Sequence, residues 1–210
     1  MDFSEVVAKR RSVRKFKEDA VPTDALNRVL DASRWAPSAG NCQPWRFVVI
    51  RDASVKEKIA ENCTRFSKKA WANFSSKTAK YLAQRGGTWD KSYMKRLPAM
   101  VVVCYEVLEK IRRELVLDSV WAAIENMLLA ATAENLGSCV YTFYDSEEEI
   151  ELKKILHLPE NYRVAGIVQL GYASAEPPTP SRKRLEEIVS YETFKLPIYR
   201  GVQTPQKNQP

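Results

Sequence analysis

Six cations crowd the stretch Lys9-Arg10-Arg11-Ser12-Val13-Arg14-Lys15-Phe16-Lys17. Guanidinium groups at this density can hold an anion through forked, charge-assisted hydrogen bonds. Phe3, Val6, Val7 and Arg10 recur at i, i+3, i+4 and i+7, which is one helical face. Arg10 therefore continues an apolar face and needs an anionic or carbonyl-rich partner, because an unpaired buried charge is very costly. The stretch fits an anion site, a nucleic-acid patch or a solvated helix end. A second cluster, Arg182-Lys183-Arg184, follows Pro177, Pro178 and Pro180. Those prolines lower the entropy of holding the cations in place. Two such clusters suit a phosphate gripped from two sides; they also suit surface loops with no ligand. The loop Pro37 to Trp45 concentrates Ser38, Asn41 and Gln43. Their hydroxyl and amide groups could read the carbonyls and nitrogens of a heteroaromatic ring, and the same residues make ordinary turns.

Other chemistries are poorly supported. His157 is the only histidine, and the four cysteines (42, 63, 104 and 139) are widely spaced. No metal site and no His-dependent triad is expected. His157 lies at a helix end, where it caps carbonyls. Gly86-Gly87 has neither a Gly-x-Gly-x-x-Gly context nor a Walker lysine. Glu147-Glu148-Glu149 reads as a solvated helix start favoured by the helix dipole.

The elements that position these residues follow from periodicity. Asp2 to Arg11 forms a first helix with an Asp2/Glu5 capping pattern. Thr23 to about Trp35 forms a second, stopped by Pro37. Arg46 to Ile50 is a buried strand, and Ser54 with Glu57 caps the next helix. Phe66, Ala70, Trp71, Phe74, Thr78, Tyr81 and Leu82 share a face of an amphipathic helix that Gly86-Gly87 ends. Trp89 to Arg96 reads as irregular. Pro98 to Tyr105 is a second strand. Arg112 to Asn135 is the longest helix, apolar nearly all round and thus buried in a core or an interface; Gly137 ends it. Cys139 to Phe143 is a third strand, Ser146 with Glu149 caps a helix to Leu156, and Arg163 to Tyr172 is a fourth strand. Helices and strands interleave around one sheet.

Length and composition set the outer bounds. With 210 residues, 45% of them hydrophobic, the chain reads as one domain. No run of about 18 apolar residues is evident, so no membrane span is expected. The first residues lack signal-peptide character, which places the protein in the cytoplasm with free thiols. The net charge of +7 permits nucleic acid, an anionic cofactor or an acidic partner.

Taken together, these pieces resemble the nitroreductase-like flavoproteins. Four landmarks occur in the family's order: Arg10-Arg11-Ser12-Val13-Arg14-Lys15-Phe16; Pro37-Ser38-Ala39-Gly40-Asn41-Cys42-Gln43-Pro44-Trp45; Glu134-Asn135-Leu136-Gly137-Ser138-Cys139 after a long helix; and Arg182-Lys183-Arg184-Leu185-Glu186-Glu187. The resemblance runs from about Phe3 to Phe194. It implies an α+β fold with a mixed central sheet flanked by helices, in an intertwined homodimer with FMN at the subunit interface. A single domain over 1–194 would carry an extension over 195–210, of which Lys195 to Arg200 reaches across to the other subunit. Residue by residue, the resemblance implies that Arg10, Arg11 and Ser12 contact the FMN phosphate and ribityl chain. Arg14 would lie at the pyrimidine edge. Arg182 and Arg184 would close on the phosphate, with Lys183 as an alternative to one of them. Pro37, Ser38, Ala39, Asn41 and Gln43 would line the flavin from the partner subunit. Thr142 and Phe143 would approach flavin N5, at positions where many relatives carry two glycines. Thr142 could add a hydroxyl there and Phe143 could narrow the pocket.

The implied activity is an FMN-dependent oxidoreductase that takes hydride from NAD(P)H and reduces a small acceptor such as a nitroaromatic, quinone or enone. No side chain need act as acid or base, and no catalytic residue is named. Phe66 to Leu82, with Trp89 and Tyr93, would cover the flavin and choose substrates. Alternatives are a flavin carrier or sensor without turnover, and a specialised reaction of the same superfamily, reductive dehalogenation or flavin fragmentation. A nucleic-acid-binding domain lacks a recognisable motif; neither nucleic acid nor membrane is an expected partner.

Overall fold

The computed structural model describes residues 1–73 and 91–194, with the side chains of 68–73 and 91 left out. The expectations for Phe74, Thr78, Tyr81, Leu82, Gly86, Gly87 and Trp89, for Lys195 to Arg200 and for the tail after Gln203 lie outside the described residues. The chain forms two compact units, Met1–Pro177 and Pro178–Pro210.

The first unit is built in the order α1 (Phe3–Lys9), α2 (Thr23–Ser33), β1 (Trp45–Ile50), α3 (Ala53–Asn73), α4 (Lys91–Lys95), β2 (Ala99–Glu106), α5 (Arg113–Ala133), β3 (Gly137–Tyr141), α6 (Glu147–Ile155) and β4 (Tyr162–Gly171). The strands form one sheet in the order β1-β2-β4-β3. Every pairing between them is antiparallel. The expected α+β fold, a central sheet flanked by helices, is present; among the described residues the parallel part of the sheet is a bridge between Ser12 and Ser138. That bridge brings the arginine stretch onto the outer edge of β3.

Both faces of the inner strands β2 and β4 are covered, which is why they read as nearly continuous apolar runs rather than alternating ones, whereas the edge strand β1 is partly exposed. On one face Val101, Val103, Tyr105, Val168 and Leu170 pack with Leu26 and Val29 of α2 and Val120, Ile124 and Met127 of α5. On the other, Met100, Val102, Cys104 and Ile167 pack with Ile59 and Cys63 of α3, Met94 of α4 and Leu152 of α6. α5 is long and apolar enough, by length and composition, to cross a membrane. Here it packs instead on α2 and on the sheet. Leu115 and Trp121 break its expected all-round burial, being more than a third exposed.

Local signals were partly misplaced. Asp52, not Ser54, caps α3: its Oδ1 accepts from Ser54 N at 2.9 Å and Val55 N at 3.0 Å. α3 runs unbroken through Phe66, and the segment expected to be irregular contains the helix α4. α5 is closed not by Gly137 but by Asn135, whose φ of 58° is left-handed. His157 caps through its backbone: at φ 53° it donates its N–H to Lys154 O. The Ser146 cap on α6 is present, with Oγ accepting from Glu149 N at 3.2 Å.

Candidate functional site

The arginine stretch is positioned from both ends. At its start, the Asp2/Glu5 capping box closes α1: Glu5 N donates to Asp2 Oδ1 at 2.9 Å and Asp2 N donates to Glu5 Oε2 at 3.1 Å. The helix stops at Lys9, two residues short of expectation, and Arg10 leaves it in an extended conformation. The anionic partner that Arg10 required is Glu125 on α5, Nε to Oε1 3.5 Å. The apolar face itself is only partly buried: Val6 is covered, whereas Phe3 and Val7 are exposed.

Beyond Arg10 the chain crosses the end of the β3–β4 pair. Val13 N donates to Ser138 O at 2.9 Å, and Lys17 N to Tyr172 O at 2.8 Å. Gly137 makes this approach possible, since a Cβ there would meet the Val13 side chain at 2.7 Å. Val13 is thereby buried, while Ser12 stays exposed and Arg14 partly exposed. Arg11 donates to the carbonyls of Ala8 and Arg10, and Arg14 to Ser12 O at 3.4 Å. Neither has a carboxylate partner among the described residues. The Ser138 hydroxyl is buried without a hydrogen-bond partner among the described residues. The sequence placed Ser138 in a landmark but assigned it no role; nothing in an isolated Gly-Ser-Cys marks burial.

The Pro37–Trp45 loop is held by an internal frame. Gly40, Asn41 and Gln43 all take left-handed values, φ 56°, 55° and 44°. Gln43 N donates to Ser38 Oγ at 3.1 Å, and Gln43 Nε2 to Asn41 Oδ1 at 3.1 Å. Ala39 N donates to Ser119 Oγ on α5 at 3.1 Å. Pro37, Asn41 and Gln43 are exposed, and Ser38 and Ala39 partly so. The amide nitrogen of Asn41 and the amide oxygen of Gln43 thus remain open to a ligand among the described residues.

Thr142 and Phe143 lie just past β3. Phe143 does not narrow a pocket: its ring is buried against Phe66 at 5.8 Å and Tyr141 at 5.4 Å between centroids. Alternation along the extended chain explains this, since Tyr141 and Phe143 share the core face and Thr142 takes the other. The Tyr141 hydroxyl donates to Cys63 O at 2.9 Å and lies 3.0 Å from Ser67 Oγ, and burial pushes its ionisation up. The thiols of Cys63 and Cys104 are likewise raised by burial, Cys104 to about 12, so neither is a ready nucleophile.

An ion-pair cluster that the sequence reading missed lies after β3. Glu148 and Glu149 are buried, correcting the expected solvated helix start. Arg163 on β4 donates to Glu149 Oε1 at 2.6 Å and to Asp145 Oδ1 at 2.7 Å. Arg113 donates to both Asp145 oxygens at 3.0 Å. Burial by itself would raise the Glu149 carboxyl. The Arg163 fork and the N–H groups of Val164 and Asp145 outweigh that and hold it below the ordinary range. Asp145 is lowered by hydrogen bonds from Arg163 and Arg113. Arg163 is driven above its usual range, chiefly by its bond to Glu149. This cluster is saturated and serves the fold.

In the second unit, Arg182 donates to Ser181 O at 3.1 Å and has no carboxylate partner among the described residues. Arg184 is paired, Nε lying 3.2 Å from Glu186 Oε1 and 3.9 Å from Glu187 Oε2. Among the described residues there is no group of three or more His, Cys, Asp or Glu side chains able to hold a metal.

A model of the Nitroreductase family matches residues 7–172. An iodotyrosine deiodinase of Thermotoga neapolitana is 34% identical over 190 residues, covering 90% of this chain and 97% of the relative. A crystal structure of oxidized iodotyrosine deiodinase bound to FMN and 3-iodo-L-tyrosine superposes with a TM-score of 0.80 at 31% identity, over 92% of this chain and all of that one. A BluB-like flavoprotein from Clostridium difficile 630 superposes with a TM-score of 0.74 at 26% identity, over 92% of this chain and all of that one.

Proposed function

The chain belongs to the nitroreductase family, and on that premise we propose that it is an FMN-dependent oxidoreductase, a cytoplasmic homodimer that draws electrons from NADH or NADPH and reduces a small acceptor. One observation carries the cofactor reading. The guanidinium groups of Arg11, Arg14 and Arg182 donate only to carbonyls and face no carboxylate among the described residues. Such donors fit a phosphate dianion and an electron-rich ring edge, the two anionic parts of reduced FMN. When bound, FMN supplies the two-electron transfer between nicotinamide and acceptor. Arg10, Arg11 and Ser12 would hold the phosphate and ribityl chain, joined by Arg182 and by Arg184 once it leaves Glu186. Arg14 would stabilise negative charge at the pyrimidine edge. Pro37, Ser38, Ala39, Asn41 and Gln43 would line the ring from the second subunit, and Thr142 would present a hydroxyl near N5. The four free thiols suit a reducing compartment.

The similarity to iodotyrosine deiodinases favours a second reading of the acceptor, a halogenated phenol. There two electrons and one proton replace the carbon–halogen bond by carbon–hydrogen, and halide leaves. An absorption spectrum of the gel-filtered protein, before and after FMN loading, tests the cofactor. A yellow protein that releases FMN on denaturation supports the reading; a colourless protein that cannot be loaded overturns it. Anaerobic mixing with NADH and NADPH then separates an enzyme from a carrier, which would not bleach. Reduced protein offered a nitroaromatic, a quinone and 3-iodo-L-tyrosine in turn assigns the acceptor, and released iodide selects dehalogenation.

A further inference from the structure

Gln169 is the anomaly of β4. It lies in the run Val164-Ala165-Gly166-Ile167-Val168-Gln169-Leu170 and is fully buried, yet neither its amide oxygen nor its nitrogen has a hydrogen-bond partner among the described residues. Burying an amide without hydrogen-bond partners is strongly unfavourable. Leucine, of similar size, would fill the place without that penalty.

The strand register identifies its surroundings. Gln169 stands opposite Cys139 on β3 and Met100 on β2. The Cys139 thiol is taken up with Val140 O. The next row on the same face is Gly137 opposite Gly171. An added Cβ would meet Val13 at 2.7 Å at Gly137, and at Gly171 Pro98 at 2.9 Å and the Phe16 ring at 3.1 Å. Val13 and Phe16 of the arginine segment, together with Pro98, thus fill the slot left by two facing glycines, one row from the Gln169 amide. A second observation concerns that segment. The backbone N–H groups of Arg14, Lys15 and Phe16 donate to no described residue, although Val13 N and Lys17 N on either side are bonded. Val13, just before this run of open donors, and Phe16, at its end, thus pack one row from the Gln169 amide.

We propose that the Gln169 amide holds an internal water that accepts from the backbone of the Arg14–Phe16 segment and donates to Gln169 Oε1, making Gln169 a positioning residue for Arg14. A buried water with about three hydrogen bonds is the usual way such groups are satisfied. The consequence for the cofactor rests on the reading of Arg14 given above; the pin itself does not.

The test uses the full chain with Gln169→Leu, and Gln169→Met should the first variant fail to fold. In the FMN-free protein, hydrogen exchange at Arg14, Lys15 and Phe16 should quicken about tenfold, the loss of one hydrogen bond, while the β2 and β4 core amides keep their protection. Unchanged exchange at these three residues overturns the proposal. In the FMN-loaded protein the flavin midpoint potential should fall, as it should in Arg14→Ala, and the double variant should fall no further than Arg14→Ala alone. Faster exchange with an unmoved potential would overturn the positioning of Arg14, while a protein that takes up no FMN would overturn the cofactor reading instead.

Discussion

Arg10 and Arg14 sit four residues apart in one stretch and meet different fates. Arg10 has a protein carboxylate in Glu125; Arg14 has only a distant carbonyl. The first can tie the stretch to α5, and the second is left to a ligand. Arg14→Ala should therefore slow flavin reduction by NADH or NADPH about tenfold or more, with a smaller effect on FMN affinity. Stopped-flow traces and FMN titration of the same preparation check this, and equal reduction rates would remove Arg14 from that role. At Glu149 the cost falls on the fold. Its carboxylate is 2% exposed and Arg163 is 27% exposed. Glu149→Gln leaves Arg163 without its main partner, and urea unfolding should show a loss of about 3 kcal/mol.

At the scale of elements, the corner formed by α6, the end of β3 and the start of β4 should govern acid stability. The folded-state pKa values of Asp145 and Glu149 are depressed. Depressed carboxyls contribute stability above their unfolded pKa values, which lie near about 4, and lose it as pH falls through the folded values. Unfolding free energy should hold steady down to about pH 4.5 and then drop; Asp145→Asn with Glu149→Gln should flatten that drop. The docking of the arginine segment is the other element-level joint. Gly137→Ala places a Cβ against Val13, so FMN affinity should fall while the β2–β4 core amides stay protected from exchange. These elements also show what could be read in advance. The strands and long helices were legible because burial on both faces of the inner strands leaves continuous apolar runs, and the Pro37–Trp45 loop was legible from its composition. The burial of Glu149 was not, because Arg163 lies on another element and a helix N-terminus attracts acids in any case. Phe143 was misread for a similar reason: its core partner Phe66 sits on α3, far away in sequence.

For the whole molecule, the exposed apolar residues carry the next step. Phe3 is 74% and Val7 48% exposed on α1, and Leu115 and Trp121 on α5 are 38% and 37% exposed. Single exposed apolar residues are ordinary; four of them on the two helices that frame Arg10 and Glu125 suit a subunit contact. If each cofactor site draws Arg11 from one subunit and the Pro37–Gln43 loop from the other, two different defects can complement. Arg11→Glu spoils one half of a site and Ala39→Trp the other. Each variant alone should form a homodimer by gel filtration and hold almost no FMN. In a heterodimer purified through two different tags, one site collects both defects and the other collects neither. Such a heterodimer should bind about half the wild-type FMN, as two-fold symmetry requires. Were each site built within a single chain, both sites of the heterodimer would carry one defect and the flavin content would stay near zero.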